Sequence, residues 1–158
     1  MVLNTNATLQ AIASHLSASG AAQPAGEDGF IGDPKSPPNA QPDGRYPVSV
    51  RNSSARVEEL ALNGSSKEQH VVIITAYGAF LDADGTVETK LYDAMNRIMA
   101  KLTADADLGG NIRHIDVAGI LGVKMGAEWG YKEIGGTEFR VIELTLPLYI
   151  DDNQTVTA

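Results

Sequence analysis

Residues 105–150 carry three short apolar runs, 112–123, 127–134 and 139–150, separated by glycines where a chain must reverse. Short apolar runs bounded by glycine suit strands better than helices. Gly135-Gly136 lies between the second and third runs. Two glycines there predict a two-residue hairpin turn, because the favoured turns need positive φ, which glycine adopts without steric cost. The same stretch holds one histidine, no cysteine and no clustered nucleophile. The residues alone describe a soluble α+β domain with no visible catalytic apparatus.

The helices come from outside that stretch. Leu9, Ile12, Ala13 and Leu16 recur at i, i+3, i+4 and i+7, with Thr5 or Asn6 as a cap and Gly20 as the stop. Val87, Leu91, Met95, Ile98 and Leu102 mark a second amphipathic helix, opened by the acidic turn at 82–85 and closing near Ala104. Between them, HVVIITAYGAF is a nearly continuous apolar run that suits a central strand buried on both faces. Val48, Val50, Val57, Leu60 and Leu62 form a weaker pattern before it, predicted to pair with it as an antiparallel hairpin across 63–69. In the last run Phe139 and Val141 share one face, and the apolar set then moves to Ile142, Leu144, Leu146, Leu148 and Ile150. A one-residue slip reverses every side chain, so a β-bulge or strong twist is expected near Val141. Pro147 lacks a donor and points to an edge position or to a pairing that stops there.

The expected fold is therefore a mainly antiparallel sheet of about four strands with two amphipathic helices packed on it, in one domain spanning 1–158. Proline, glycine and small polar residues dominate 20–47, a long extended loop that is either an arm ordered against a neighbouring subunit or a surface loop. The polar residues 151–158 read as a flexible tail.

Charge narrows the partners. Twenty acidic against 12 basic residues leave a formal charge of −8, the wrong sign for tight nonspecific binding to a phosphate backbone. With no cysteine there is no disulfide framework and no thiolate metal site. The N-terminus lacks the basic region and long apolar core of a secretory signal, and no stretch reaches the roughly 18 apolar residues of a membrane span. DADGTVE, from Asp82, matches half a calcium loop, but aligning Gly85 with the loop glycine puts Phe80 and Leu91 where oxygen ligands are required. His15, His70 and His114 have no metal-ligand spacing, and the glycines form no phosphate cradle. No catalytic, cofactor or metal residue is assigned. Trp129 and Tyr131 lie on one side of a candidate strand and Phe139 can approach them across the glycine hairpin, as a core cluster or as a subunit or partner interface.

One resemblance rests on the order of these parts. A helix at 95–104 leads into Asp105, Leu108, Gly109 and Gly110, a D-x-x-L-G-G type turn, then a strand, with a long strand at 139–150 closing the chain. This resembles the tail terminator (tail completion) proteins of long-tailed bacteriophages, over about the last ninety residues. The resemblance implies a homohexameric ring at the tail–neck junction of the virion, made in the host cytoplasm. The ring would end the tail tube and contact the tail tube protein and neck or connector proteins. Residues 20–47 depart from that pattern, being long for a simple terminator, and could reach a sheath or neck partner. DNA would pass through its centre without specific binding, with no cofactor, no membrane and no enzymatic activity. A head–tail joining ring protein is the nearest alternative, and a small monomeric binding module or hydrolase is the alternative from another class.

Overall fold

The computed structural model describes residues 5–19, 22–26, 29–38, 46–60, 66–79, 87–104, 114–117, 119 and 122–151. Two helices, α1 (Thr5–Ser19) and α2 (Val87–Ala104), pack on one face of a mostly antiparallel sheet. Its long strands are β2 (Pro47–Leu60), β3 (Ser66–Ala79), β5 (Gly126–Ile134) and β6 (Thr137–Asp151), with two-residue strands β1 (Gln23–Pro24) and β4 (His114–Ile115) at its margins. The order is β1-β2-β3-β6, and β5 and β4 share the far edge of β6. Among these strands only β1 runs parallel to its neighbour. The protein is an α+β fold, with two short strands beyond the four expected.

β3 is central, and every residue from Glu68 to Gly78 is buried, which is why its apolar run is continuous rather than alternating. On the helix-bearing face, Val48, Val50, Val72, Ile74, Ile142, Leu144, Leu146 and Leu148 meet Leu9, Ile12 and Leu16 of α1 and Leu91, Met95, Ile98 and Leu102 of α2. His15 Nε2 donates to the Lys101 carbonyl, 2.7 Å away, tying α1 to the last turn of α2. Carbonyls in a final turn have no partner within the helix, so this contact caps α2 as well as joining the pair. The second face has its own small core: Ala25, Tyr77, Phe139 and Val141, with Ile134 packed against them.

That second core corrects the expectation of a bulge near Val141. The β3–β6 register runs unbroken through Tyr77↔Val141 and Ala76↔Ile142. Val141 and Ile142 are both buried because each faces a different core; the apolar set changes parity where the chain leaves one core and meets the other. The irregularities lie in β2 instead, between Asn52 and Ser54 and between Val57 and Glu59. Each shifts the phase of alternation, which explains the weak pattern of that strand. Pro147 sits inside β6, opposite Val71, where pairing with β5 has ended at Thr145 and pairing with β4 begins at Leu148. Its carbonyl accepts from the Asp116 amide at 2.8 Å, and its missing donor falls in the gap.

Two loops were expected to behave differently. The run 112–123 yields a strand only at His114–Ile115 among the described residues, because Gly119 and Gly122 take φ of 72° and 115° and turn the chain. The described part of 20–47 is neither a free loop nor an arm held only by a neighbour. Gln23 and Pro24 pair along β2, Ile31 bridges to Val50, and Phe30 is buried in the main core. Pro37 then reaches the β5–β6 turn, so closely that a Cβ on Gly135 would lie 2.8 Å from its Cδ. The D-x-x-L-G-G turn at 105–110 and residues 152–158 lie outside the described residues.

Candidate functional site

Gly135 and Gly136, with φ of 58° and 82°, form the expected two-residue turn. Counting outward from it, Ile134 pairs with Thr137, Lys132 with Phe139, Tyr131 with Arg140 and Trp129 with Ile142. Opposed side chains share a face. Trp129 and Tyr131 therefore stand with Arg140 on the helix-bearing face, and Phe139 stands on the other. The three aromatics do not form one cluster: Phe139 is buried edge-to-face against Tyr77, centroids 6.0 Å apart.

Arg140 takes the place assigned to Phe139. Its guanidinium carbon lies 5.0 Å from the Trp129 ring centroid and 4.5 Å from that of Tyr131. Nε and Nη2 donate to one oxygen of Glu88 on α2, at 3.0 and 2.9 Å, and Nη1 donates to the Gly130 carbonyl at 3.1 Å. The cation is held from four directions and is 14% exposed, whereas Trp129 and Tyr131 are 39% and 58% exposed. The hairpin thus presents two outward rings on a fixed cationic support, and Trp, Tyr and Arg are the residues most often found to anchor protein interfaces. The register counted from the glycine turn was the signal that would have placed Arg140 there.

A second constellation lies under α1. Thr8 Oγ1 is 3.2 Å from His70 Nδ1, and His70 Nε2 is 3.4 Å from Glu68 Oε1. The order of hydroxyl, imidazole and carboxylate is that of an activated nucleophile. Its exposure rules out that use in this conformation: the three residues are between 0 and 4% exposed, so a dissolved substrate cannot reach the hydroxyl. Here the network joins α1 to β3. Sequence separation hid it, since Thr8 and His70 are 62 positions apart.

Polar ties also cross the second face. Glu143 accepts from Arg51 at 3.2 Å and from the Thr75 hydroxyl at 3.4 Å, with Lys132 3.9 Å away. Arg56 donates to Gln69, which donates to Asp116. Ser49 and Tyr77 share a 2.9 Å hydroxyl pair, and burial, more than any nearby charge, pushes the Tyr77 phenol upward. Among the described residues no three His, Cys, Asp or Glu side chains are grouped to hold a metal. An open groove of about 580 Å³ runs between α1 and residues 24 and 29–31, lined among the described residues by Gln10, Ser14, Phe30 and Ile31 and by no ionisable side chain. No described helix is long and apolar enough to cross a membrane. No protein-family model matches the chain, and no curated protein matches it in sequence.

Proposed function

We propose that this protein is a structural subunit of a bacteriophage tail, a tail terminator that assembles as a hexameric ring, ends the tail tube and joins it to the neck. The observation that carries the reading is the architecture: a mostly antiparallel sheet with two helices against it, in the order helix, long strand pair, helix, closing hairpin. That is the arrangement the resemblance implies. The polar networks agree with a scaffold role, since the nucleophile-like chain of Thr8, His70 and Glu68 is sealed beneath α1 and the accessible aromatics sit on a rigid support suited to contact. The partners are further copies of itself, the tail tube protein and neck or connector proteins. With a formal charge of −8, like-charge repulsion would let DNA slide through the ring without being held.

The test is tube growth. Purified tail tube subunits should polymerise to indefinite length alone and stop when this protein is added, with a ring visible at one tube end by electron microscopy. Tubes of unchanged length, with the protein absent from their ends, would refute the assignment. Binding to the portal side of the neck without any effect on tube length would favour a head–tail joining ring.

A further inference from the structure

The described residues between 22 and 38 are held in two different ways. Up to Gly32 the backbone is bonded to β2 and the residue before it. The Gln23 and Ala25 amides donate to the Tyr46 and Val48 carbonyls at 3.3 and 3.0 Å, the Val50 amide donates to the Phe30 carbonyl at 2.7 Å, and the Gly32 amide donates to the Val50 carbonyl at 2.9 Å. Beyond Gly32 the bonding stops. Residues 33–38 make no hydrogen bond or ion pair with any described residue, and Pro34, Pro37 and Pro38 have no amide to donate.

What holds this stretch is contact. Pro34 and Pro38 are buried, whereas Asp33, Lys35, Ser36 and Pro37 are exposed, and Pro37 reaches Gly135 in the β5–β6 turn. The second core, Ala25, Tyr77, Phe139 and Val141 with Ile134 against it, lies between the anchor on β2 and that turn. A cavity of about 370 Å³, lined among the described residues by Gly26 and residues 31–36, runs along the stretch, so its packing is incomplete.

The stretch is stiff and has a soft joint at its start. Proline fixes φ, and the residue before a proline is confined to extended conformations. That restricts every residue from 33 to 38 except Lys35. Gly32, directly before them, has φ of 86°, and a Cβ there would meet nothing within 4 Å. A glycine with open space around it, set between a bonded anchor and a stiff body, is where the φ/ψ change of a hinge is absorbed.

We infer that residues 33–38 form a strap that opens about Gly32 while the helices and the sheet stay folded, uncovering the second core and releasing the β5–β6 turn. Regions with few bonds and incomplete packing open at a free energy far below that of global unfolding. Closed, the strap clamps the turn through Pro37. Open, it frees the tip of the hairpin and exposes Tyr77, Phe139 and Val141. The inference does not rest on the tail reading.

The chain has no cysteine, so single thiols report the opening. Val141→Cys places one in the second core and Val72→Cys places one in the main core, and both valines are 0% exposed. With each variant shown to be folded by circular dichroism, an aromatic disulfide reagent should label Val141→Cys about a hundredfold faster than Val72→Cys, or more. Labelling of Val141→Cys should stay nearly flat in low urea, because local opening uncovers little surface, while that of Val72→Cys should rise steeply. Adding Gly32→Ala should speed labelling of Val141→Cys about five- to thirtyfold, since opening relieves a positive φ on a residue with a Cβ. Gly135→Ala should speed it too, its Cβ falling 2.8 Å from Pro37 Cδ, and Gly136→Ala, where a Cβ meets nothing, should not. Equal rates and equal urea slopes for the two thiols overturn the proposal, because the second core would then open only with the whole fold. Fast labelling of Val141→Cys that Gly32→Ala and Gly135→Ala leave unchanged also overturns it, by assigning the opening to β5 rather than to the strap.

Discussion

Replacing Arg140 by methionine tests how the hairpin is held to the body of the domain. Methionine keeps much of the unbranched stem and removes the charge, so what is lost is the pair of ring contacts, the Glu88 contact and the bond to the Gly130 carbonyl. A cation–π contact at an exposed site contributes about 0.5–1 kcal/mol, and both rings here are more than one-third exposed. An ion pair whose carboxylate is 60% exposed contributes well under 1 kcal/mol. A charged group bonded to a carbonyl contributes about 1.5 kcal/mol at the lower end of its range. These contributions share one side chain and do not add fully. A loss of about 2 kcal/mol follows, which in a domain of this size lowers Tm by about 4–8 °C. Trp129 is the only tryptophan, so its emission reports the site directly and should shift as the cation leaves its face. Urea unfolding of wild type, Arg140→Met, Glu88→Gln and the double variant separates the ion pair from the ring contacts. A destabilisation below about 0.5 kcal/mol with unchanged emission would refute the assignment of Arg140 as the support of the hairpin.

Three further outcomes are expected. Gly135→Ala should be more damaging than Gly136→Ala in chemical unfolding: both have positive φ, about 1–2 kcal/mol for a residue with a Cβ, but only at Gly135 would the new atom collide with Pro37. Ile98→Ala should cost about 2–5 kcal/mol by leaving a cavity beneath α2, where Ile98 is fully buried, and should lower the urea midpoint without changing the slope. The third concerns pH. Burial raises the Tyr77 pKa above its ordinary 10.0, so the folded state keeps the phenol neutral while the unfolded chain ionises. The stability is fully present below pH 10 and is lost as pH rises from there through the folded pKa. In an alkaline series, Tyr77→Phe should show a shallower decline than wild type, and an identical decline would exclude Tyr77 as the cause.

The parts legible in the sequence were those governed by local rules. α2 followed from its helical spacing, the hairpin from two glycines, and the burial of β3 on both faces from an unbroken apolar run. What escaped depends on partners distant in sequence. The parity change at Val141 looked like a slip because periodicity records which residues are apolar, not what covers them, and a strand with a core on each face can change parity without a bulge. β2 shows the converse: two real irregularities scattered its apolar residues until little pattern remained. Phe139 was expected to approach Trp129 and Tyr131 across the glycine hairpin, although the register set by that turn puts Lys132 opposite it and Arg140 opposite Tyr131. The Thr8–His70–Glu68 network and the packing of residues 22–26 and 29–38 needed the fold itself.

The change of partners at Pro147 also decides how the domain would respond to load. β6 is gripped along one edge by β3 through thirteen residue pairs. A pull along its axis strains those bonds together, in shear. On the other edge β5 holds nine pairs and ends before the proline, with β4 starting beyond it. A pull on the Gly126 end of β5, away from the sheet, breaks its bonds to β6 one after another and stops at the glycine turn. β6 can therefore serve as a tether while β5 peels from it.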